Sequence, residues 1–496
     1  MWNAIRTATL AAILLSTAQA DAQSDKSQPI RLHPTNPRYF LFRGKAVVLI
    51  TSGEHYGAVL NADFDYRRYL ATLEADGLNY TRLFAGSYVE VPAKSFGILH
   101  NDLAPEPGRF LAPWVRSDAL GYAGGGNKFD LERWDENFFT RFRDFLSEAA
   151  KRGIVVEVTL FSSHYGDEQW RVSPLNGSNN VNGIALADWK KLHTLENGPV
   201  LAYQEKYTSK LVREASAFDN VIFEIQNEPW SDRPVLADVI NRYLRAPARD
   251  SFRNSVDVPD ELSMAWQGRV AEWIQQEEAS LPKRHLIAQN YSNFRRPVGK
   301  LLAGVDVVNF HYAYPEAALL NAGLGKAICY DETGFLGRDD EPYRREAWNF
   351  MLSGGSAFDG LDYSFTTSHE DGSYVEPNGP GGGSPELRRQ LRILREFLQS
   401  FALTGLRPDA GVVKHAAGTT ARVLANSGRE YAIYLDGSGP ADVILKLPSG
   451  SYSAEWLNVE TGKTEQPEMF RHAGGEKPLS SPPFRNGVAL RLKRVR

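Results

Sequence analysis

Eight short apolar runs, set apart by longer amphipathic stretches, leave this chain few architectures. The runs are Ala46–Thr51, Asn79–Phe84, Val155–Phe161, Val221–Gln226, His285–Asn290, Asp306–Phe310, Ala327–Tyr330 and Phe358–Tyr363. Between them, apolar residues recur at three- and four-residue spacing over Phe64–Ala75, Trp134–Lys151, Leu201–Ala217, Glu261–Ala279 and Tyr343–Leu352, and a last helix is predicted over Pro385–Phe401. Strands alternating with helices pair in parallel, and eight such units predict a closed (β/α)8 TIM barrel over residues 30–404. After Gly405 the pattern changes to brief alternating runs with turn residues between them: Val412–His415, Thr420–Ala425, Tyr431–Leu435, Val443–Leu447, Tyr452–Leu457 and Val488–Leu492. These predict a small antiparallel β-sandwich over 405–496, so the fold class is α/β with an all-β accessory domain.

The composition suits that size. Of 496 residues, 42% are hydrophobic and 11% aromatic, enough for a large core and a second, smaller one. The 56 basic and 60 acidic side chains nearly cancel, and no basic run occurs, which argues against a nucleic-acid partner. At the start, Met1–Arg6 carries one positive charge ahead of the apolar stretch Ala8–Leu15, and Ala18-Gln-Ala20 or Ala20-Asp-Ala22 offers a small-residue cleavage site. This predicts a signal peptide over 1–22 and a secreted or periplasmic protein. The apolar stretch is shorter than the ~20 residues of a membrane span, and no later stretch reaches that length. Cys329 is the single cysteine, so no internal disulfide is expected, and its place inside a strand suits a small buried side chain. Nothing in the sequence bears on oligomeric state.

A parallel barrel carries its chemistry at the carboxyl ends of its strands. Strand four runs into Asn227-Glu228-Pro229-Trp230 and strand seven into Asp331-Glu332-Thr333-Gly334, so two strands each end in a carboxylate. Paired carboxylates across one pocket suit cleavage of a glycosidic bond by the retaining route, which needs a protonated acid and an ionised nucleophile about 5 Å apart. Glu228 is the candidate acid and base, with Asn227 offering an amide to a substrate hydroxyl, Pro229 stiffening the turn and Trp230 behind it. Glu332 is the candidate nucleophile. Asp331 is its rival, because alternation along a strand lets only one of two neighbours face the barrel axis.

Other strand ends supply a supporting cast. Arg82 would hold the nucleophile ionised, and His311 with Tyr312 would donate hydrogen bonds to the nucleophile or the sugar. Glu54 and His55 (followed by Tyr56), His164 (followed by Tyr165), and Asn290 are candidate substrate contacts, and Tyr363 with Phe365 a candidate sugar platform. The long connections 85–132 and 162–199 carry Trp114, Tyr122 and Trp170, suited either to stacking on sugar faces or to packing within their own loops. No His-Glu-x-x-His, paired-cysteine or phosphate-loop spacing occurs, and Gly124–Gly126 and Gly381–Gly383 read as flexible loops. Neither a metal nor a cofactor is expected, and the lack of a Gly-x-Ser-x-Gly elbow argues against a serine hydrolase.

The strand-end residues resemble the clan of retaining (β/α)8-barrel glycoside hydrolases that includes the cellulase-like family. The resemblance implies that Glu228 of the Asn227-Glu228 pair is the acid and base, and it selects Glu332 over Asp331 as nucleophile. It also implies supporting roles for Arg82 at strand two and for His311 and Tyr312 at strand six. Strand eight departs from the pattern, with Asp362-Tyr363-Ser364-Phe365 where the cellulase-like members carry a tryptophan. Arg38–Lys45 and Ala454–Gly462 are similar to a group in which such a barrel carries a C-terminal sandwich sometimes labelled collagen-binding. The implied substrate is a plant or microbial oligo- or polysaccharide, β-linked pyranosides or α-L-arabinofuranosides foremost. Two alternatives stay open: a secreted glycan-binding protein without turnover, and a transglycosylase.

Overall fold

The computed structural model describes residues 28–495 apart from 54–55, 93–94, 185, 187, 242, 244–251 and 380. Eight parallel strands form its centre: β1 (Leu49–Ile50), β2 (Tyr80–Phe84), β3 (Val155–Ser162), β4 (Val221–Asn227), β5 (Leu286–Asn293), β6 (Val307–His311), β7 (Ala327–Glu332) and β8 (Ala357–Phe358). From β2 to β8 each pairs with the next in sequence, and β8 pairs with β1. The remaining seam, between β1 and β2, is bridged by Asn79. Its side chain accepts from Ile50 N–H at 3.0 Å and donates to Val48 O at 2.9 Å, which closes the barrel.

Outside lie α1 (Tyr66–Ala75), α2 (Glu136–Lys151), α3 (Val200–Ala215), α4 (Glu261–Glu278), α5 (Pro315–Leu320), α6 (Asp340–Met351) and α7 (Pro385–Gln399). No helix joins β5 to β6. Strands one and eight are shorter than the sequence implies. Lys45–Val47 belongs instead to a three-stranded N-terminal sheet with Arg31–Leu32 and Phe40–Phe42, and β8 ends at Phe358, leaving Asp362 and Tyr363 on the loop beyond it.

The barrel interior is layered. At the bottom, Leu49, Tyr80, Val155, Ile222, Ala288, Val307, Ala327, Cys329 and Ala357 form one buried apolar cluster, and the N-terminal sheet plugs it with Ile30, Phe40 and Phe42. Cys329 thus fills the small buried role expected of it. Above this plug the inward side chains turn polar, and above them opens the cleft at the carboxyl ends of the strands.

Residues 407–495 build a six-stranded and a three-stranded antiparallel sheet around Val423, Ile433, Leu435, Leu445 and Leu490. Three strands, Arg407–Pro408, Glu468–His472 and Gly475–Ser480, escaped the sequence reading. Only Leu479 among them is buried, so they show no apolar alternation. The sandwich docks on α6 and α7: Trp348 stacks on Tyr434 at 5.3 Å, Arg344 pairs with Glu460 at 2.9 Å and Arg345 with Asp436 at 2.8 Å. Tyr434, Leu457 and Val459 of the sandwich join the same buried cluster as the barrel helices. Trp348→Ala is therefore expected to cost about 3–5 kcal/mol. Calorimetry should find barrel and sandwich melting in one transition, at a lower temperature in the variant.

Candidate active site

Arg82 is the hub of the polar layer. Its guanidinium is fully buried, and Nε and Nη2 each donate to Glu224 at 2.6 Å, a bidentate grip. Nη2 also donates to Asn227 Oδ1 at 2.7 Å, and Nη1 to Tyr56 Oη at 2.6 Å and Glu332 Oε2 at 3.3 Å. Asp331 Oδ2 lies 3.6 Å from Nε. Burial raises the carboxyl pKa values of Glu157 and Asp359 well above the ordinary range, helped at Glu157 by Glu224 and Asp331 and at Asp359 by Asp331. Removing the one guanidinium strands three buried carboxylates. Arg82→Met is expected to lose about 3–5 kcal/mol of stability, read as a lower urea midpoint at pH 7.

Strand β7 breaks the alternation rule at its end. Phe310 pairs with Tyr330 but His311 pairs with Glu332, so Asp331 is an extra residue in the ladder, a β-bulge. Both carboxylates consequently point inward, Asp331 to the polar layer and Glu332 to the cleft above it. This corrects the expectation that only one of the pair could face the axis.

Glu332 accepts from Tyr56 Oη and Arg82 on one oxygen and from Tyr312 Oη at 2.7 Å on the other. Burial alone would favour its neutral form, but His311, Arg82 and Tyr312 outweigh burial and pull the pKa down to about 2. Its share of folding stability is thus complete above the ordinary value of 4.5 and is lost as pH falls toward 2.

His311 stands between the carboxylates. Its Nδ1 is 3.0 Å from Glu228 Oε1 and 3.5 Å from Glu332 Oε1, its Nε2 is 3.5 Å from Asp331 Oδ2, and Trp230 meets its ring edge-on at 5.3 Å. Burial opposes charge here too, yet Glu332, Asp331 and Glu228 raise the pKa well above 6.5. The stabilisation it brings is full below 6.5 and vanishes as pH climbs through the raised folded value. Carbon NMR of labelled histidine should show the His311 ring as imidazolium at pH 7.5, and a neutral ring there would refute this electrostatic account.

Glu228 sits in a strained backbone. Its φ of 46° is left-handed, and Pro229 behind it disfavours helical geometry in the preceding residue. Two bonds clamp the turn: Glu228 N–H donates to Asn290 Oδ1 at 2.9 Å, and Ser163 Oγ donates to Glu228 O at 2.7 Å. One donor atom each from Glu228, His311 and Glu332 lie within 4.8 Å of one another. The ends of strands four and seven therefore converge on one point.

The cleft above them is walled by aromatic side chains, including Tyr56, Phe84, Tyr88, Phe96, Tyr165, Tyr312, Phe335 and Tyr363. Its polar lining includes Glu90, Asp102 and Asp362, and no lysine or arginine occurs among the described lining residues. Glu90, held by Tyr88 Oη at 3.0 Å and Asn101 Nδ2 at 2.5 Å, has its pKa raised by burial; the sequence reading missed it, because the 85–132 connection has no periodicity to mark it.

Not every candidate reaches the cleft. Glu54 and His55 lie outside the described residues, while Tyr56 beside them touches Glu332. Asn227 lines the cleft, but its amide is engaged by Arg82 and by Tyr165 Oη at 2.7 Å. Asn290 is buried and spends its side chain on Glu228, Glu224 and Asp331, so it positions rather than contacts. His164 is buried behind Tyr88 and against Trp170, burial lowering its pKa to about 3, and it is Tyr165 that lines the cleft. Trp114 and Tyr122 are buried in the main core, Trp114 stacked on Tyr207 of α3 at 5.3 Å, rather than offered to a ligand. Tyr363 does line the cleft, and its neighbour Asp362 is fixed by Arg388 of α7 at 3.0 Å and by Ser52 at 2.9 Å.

No protein-family model matches the chain, and no curated protein matches it in sequence. Solved structures do match in shape. One described as a glycoside hydrolase aligns over 94% of this chain and 97% of its own at a TM-score of 0.62 and 12% identity. A family 5 glycoside hydrolase from Bacteroides vulgatus aligns over 95% and 94% at 0.61 and 13% identity. Both alignments run through barrel and sandwich together. The chain therefore shares the fold of these glycoside hydrolases, a (β/α)8 barrel joined to a C-terminal β-sandwich.

Proposed function

We propose that this protein is an exported retaining glycoside hydrolase, its N-terminal residues 1–22 serving as the signal. Glu332 attacks the anomeric carbon while Glu228 gives its proton to the departing glycosidic oxygen. Glu228, now ionised, then takes a proton from the water that displaces Glu332 from the sugar. One observation carries the reading: an oxygen of each carboxylate from strands four and seven lies within 4.8 Å of the other, with Glu332 held by three donors beside the His311 ring. That spacing suits double displacement and leaves too little room for the water of an inverting site.

The lining supports a substrate class. Aromatic walls suit the apolar faces of pyranose rings, and carboxylates with no lysine or arginine among the described lining residues suit hydroxyl groups and repel acidic sugars. Neutral oligo- or polysaccharides are the expected substrates, and polyuronates are expected to be refused. The test is a panel of aryl glycosides and polysaccharides, with proton NMR of the first-formed anomer. Net retention supports the proposal. An inverted first product would overturn it, as would oligosaccharide binding without turnover that Glu228→Gln and Glu332→Gln leave unchanged.

A further inference from the structure

Behind the wall formed by Tyr88, away from the cleft, three side chains from separate elements meet in the interior. His164 follows β3, His193 follows the short turn Trp189–Lys191, and Asp232 ends the single helical turn Pro229–Asp232 that follows Glu228. All three are buried, and one donor atom from each lies within 4.8 Å of the other two. His193 Nδ1 and Asp232 Oδ2 are 3.2 Å apart. Two ligands of a tetrahedral ion bonded at about 2.0–2.1 Å are separated by about 3.3 Å.

Two further observations point to something held there. The His164 ring is 2% exposed, yet neither of its nitrogens has a hydrogen-bond partner. Gln226 of β4 lies alongside, its Nε2 at 3.1 Å from His193 Nδ1, while its buried Oε1 also has no partner. Turning that amide over exchanges oxygen for nitrogen and brings the carbonyl to the His193 side. Orphaned buried polar atoms are rare in folded proteins, and here three of them, on two residues, flank one His–Asp pair.

We propose that His164, His193 and Asp232, with the Gln226 carbonyl as fourth donor, bind a divalent transition ion of the zinc class. Two imidazoles, a carboxylate and an amide oxygen form a borderline nitrogen and oxygen donor set of the kind zinc binds and that magnesium and calcium, which take oxygen ligands, do not favour. The outer shell is in place: Asp232 Oδ1 accepts from His164 N–H at 2.9 Å, and Trp266 packs on His193 at 4.7 Å and Trp170 on His164 at 5.4 Å. Donors at 164, 193, 226 and 232 have no compact spacing, which is why no motif announces them. The role is structural, because the ion would pin Asp232, and with it the turn that aims Glu228, to the end of β3.

The test is metal uptake by the full-length protein after EDTA treatment and dialysis. Zinc titrated by calorimetry should bind at one equivalent per chain and raise Tm, and cobalt should give the intense visible bands of a four-coordinate site. His164→Phe keeps a ring in the aromatic pocket and should weaken zinc binding by at least about 100-fold, the upper end of what loss of an outer-shell partner costs. Asp232→Asn gives a second variant should the first fold poorly. Wild-type protein that takes up neither ion, or His164→Phe that binds zinc as tightly as wild type, would overturn the proposal and leave a buried water as the occupant. Glycosidase activity of the metal-free protein is measured separately, so this failure is distinguishable from failure of the proposed reaction.

Discussion

Glu332→Gln is expected to reduce kcat by roughly 10⁴-fold or more, because an amide of the same shape cannot attack the anomeric carbon and the covalent route closes. A factor of that size is about 5.5 kcal/mol of lost transition-state stabilisation. The contacts from Tyr56, Tyr312 and Arg82 place this carboxylate rigidly, so the fold and the oligosaccharide affinity should survive the exchange while turnover does not. A direct check uses a 2-fluoro glycoside, whose second step is slow. Intact mass spectrometry should find one sugar on the wild-type chain, and peptide mapping should place it on Glu332. A label on Asp331 would show that the bulged strand presents the other carboxylate, and the assignment would fall.

Glu228→Ala should separate the two steps. Substrates with poor leaving groups need the proton and are expected to slow by about 10²–10⁴-fold. A dinitrophenyl leaving group needs no proton, so its release should persist and the glycosyl-enzyme should accumulate. Azide needs no general base and should restore turnover, giving a glycosyl azide of retained configuration. If azide rescues nothing, and leaving-group ability makes no difference, the proton is handled elsewhere. His311 at 3.0 Å from Glu228 would then be the first group to examine.

The barrel was legible because its strands are buried on both faces and read as continuous apolar runs, as in Val221-Ile-Phe at the start of β4. The carboxylates at the ends of β4 and β7 stood out for the same reason, as charges closing apolar segments. What stayed hidden depends on register and long-range packing. Alternation sent Asp331 and Glu332 to opposite faces, and only the pairing with β6 reveals the bulge that turns both inward. Glu224 and Glu157 are plain to see as charges within β4 and β3, but nothing local says that Arg82 grips one and that burial raises the pKa of the other. The run Gly381–Gly383 read as slack. It is instead tightly packed: a Cβ on Gly381 would lie 2.3 Å from Leu361 O, and one on Gly383 1.9 Å from Asp362 Oδ1. The loop that presents Tyr363 therefore has a fixed course that composition alone disguises.

The additional residue in β7 ties the chemistry to the length of a single strand. Deleting one residue between Ala327 and Asp331 would restore an even beat against β6, leaving Glu332 opposite His311 but turning Asp331 out of the polar layer toward the outer helices. Grafting this pocket onto another scaffold would accordingly require transferring β6 and β7 as a matched pair, since without the bulge plain alternation after Asp331 would send Glu332 to the outer face.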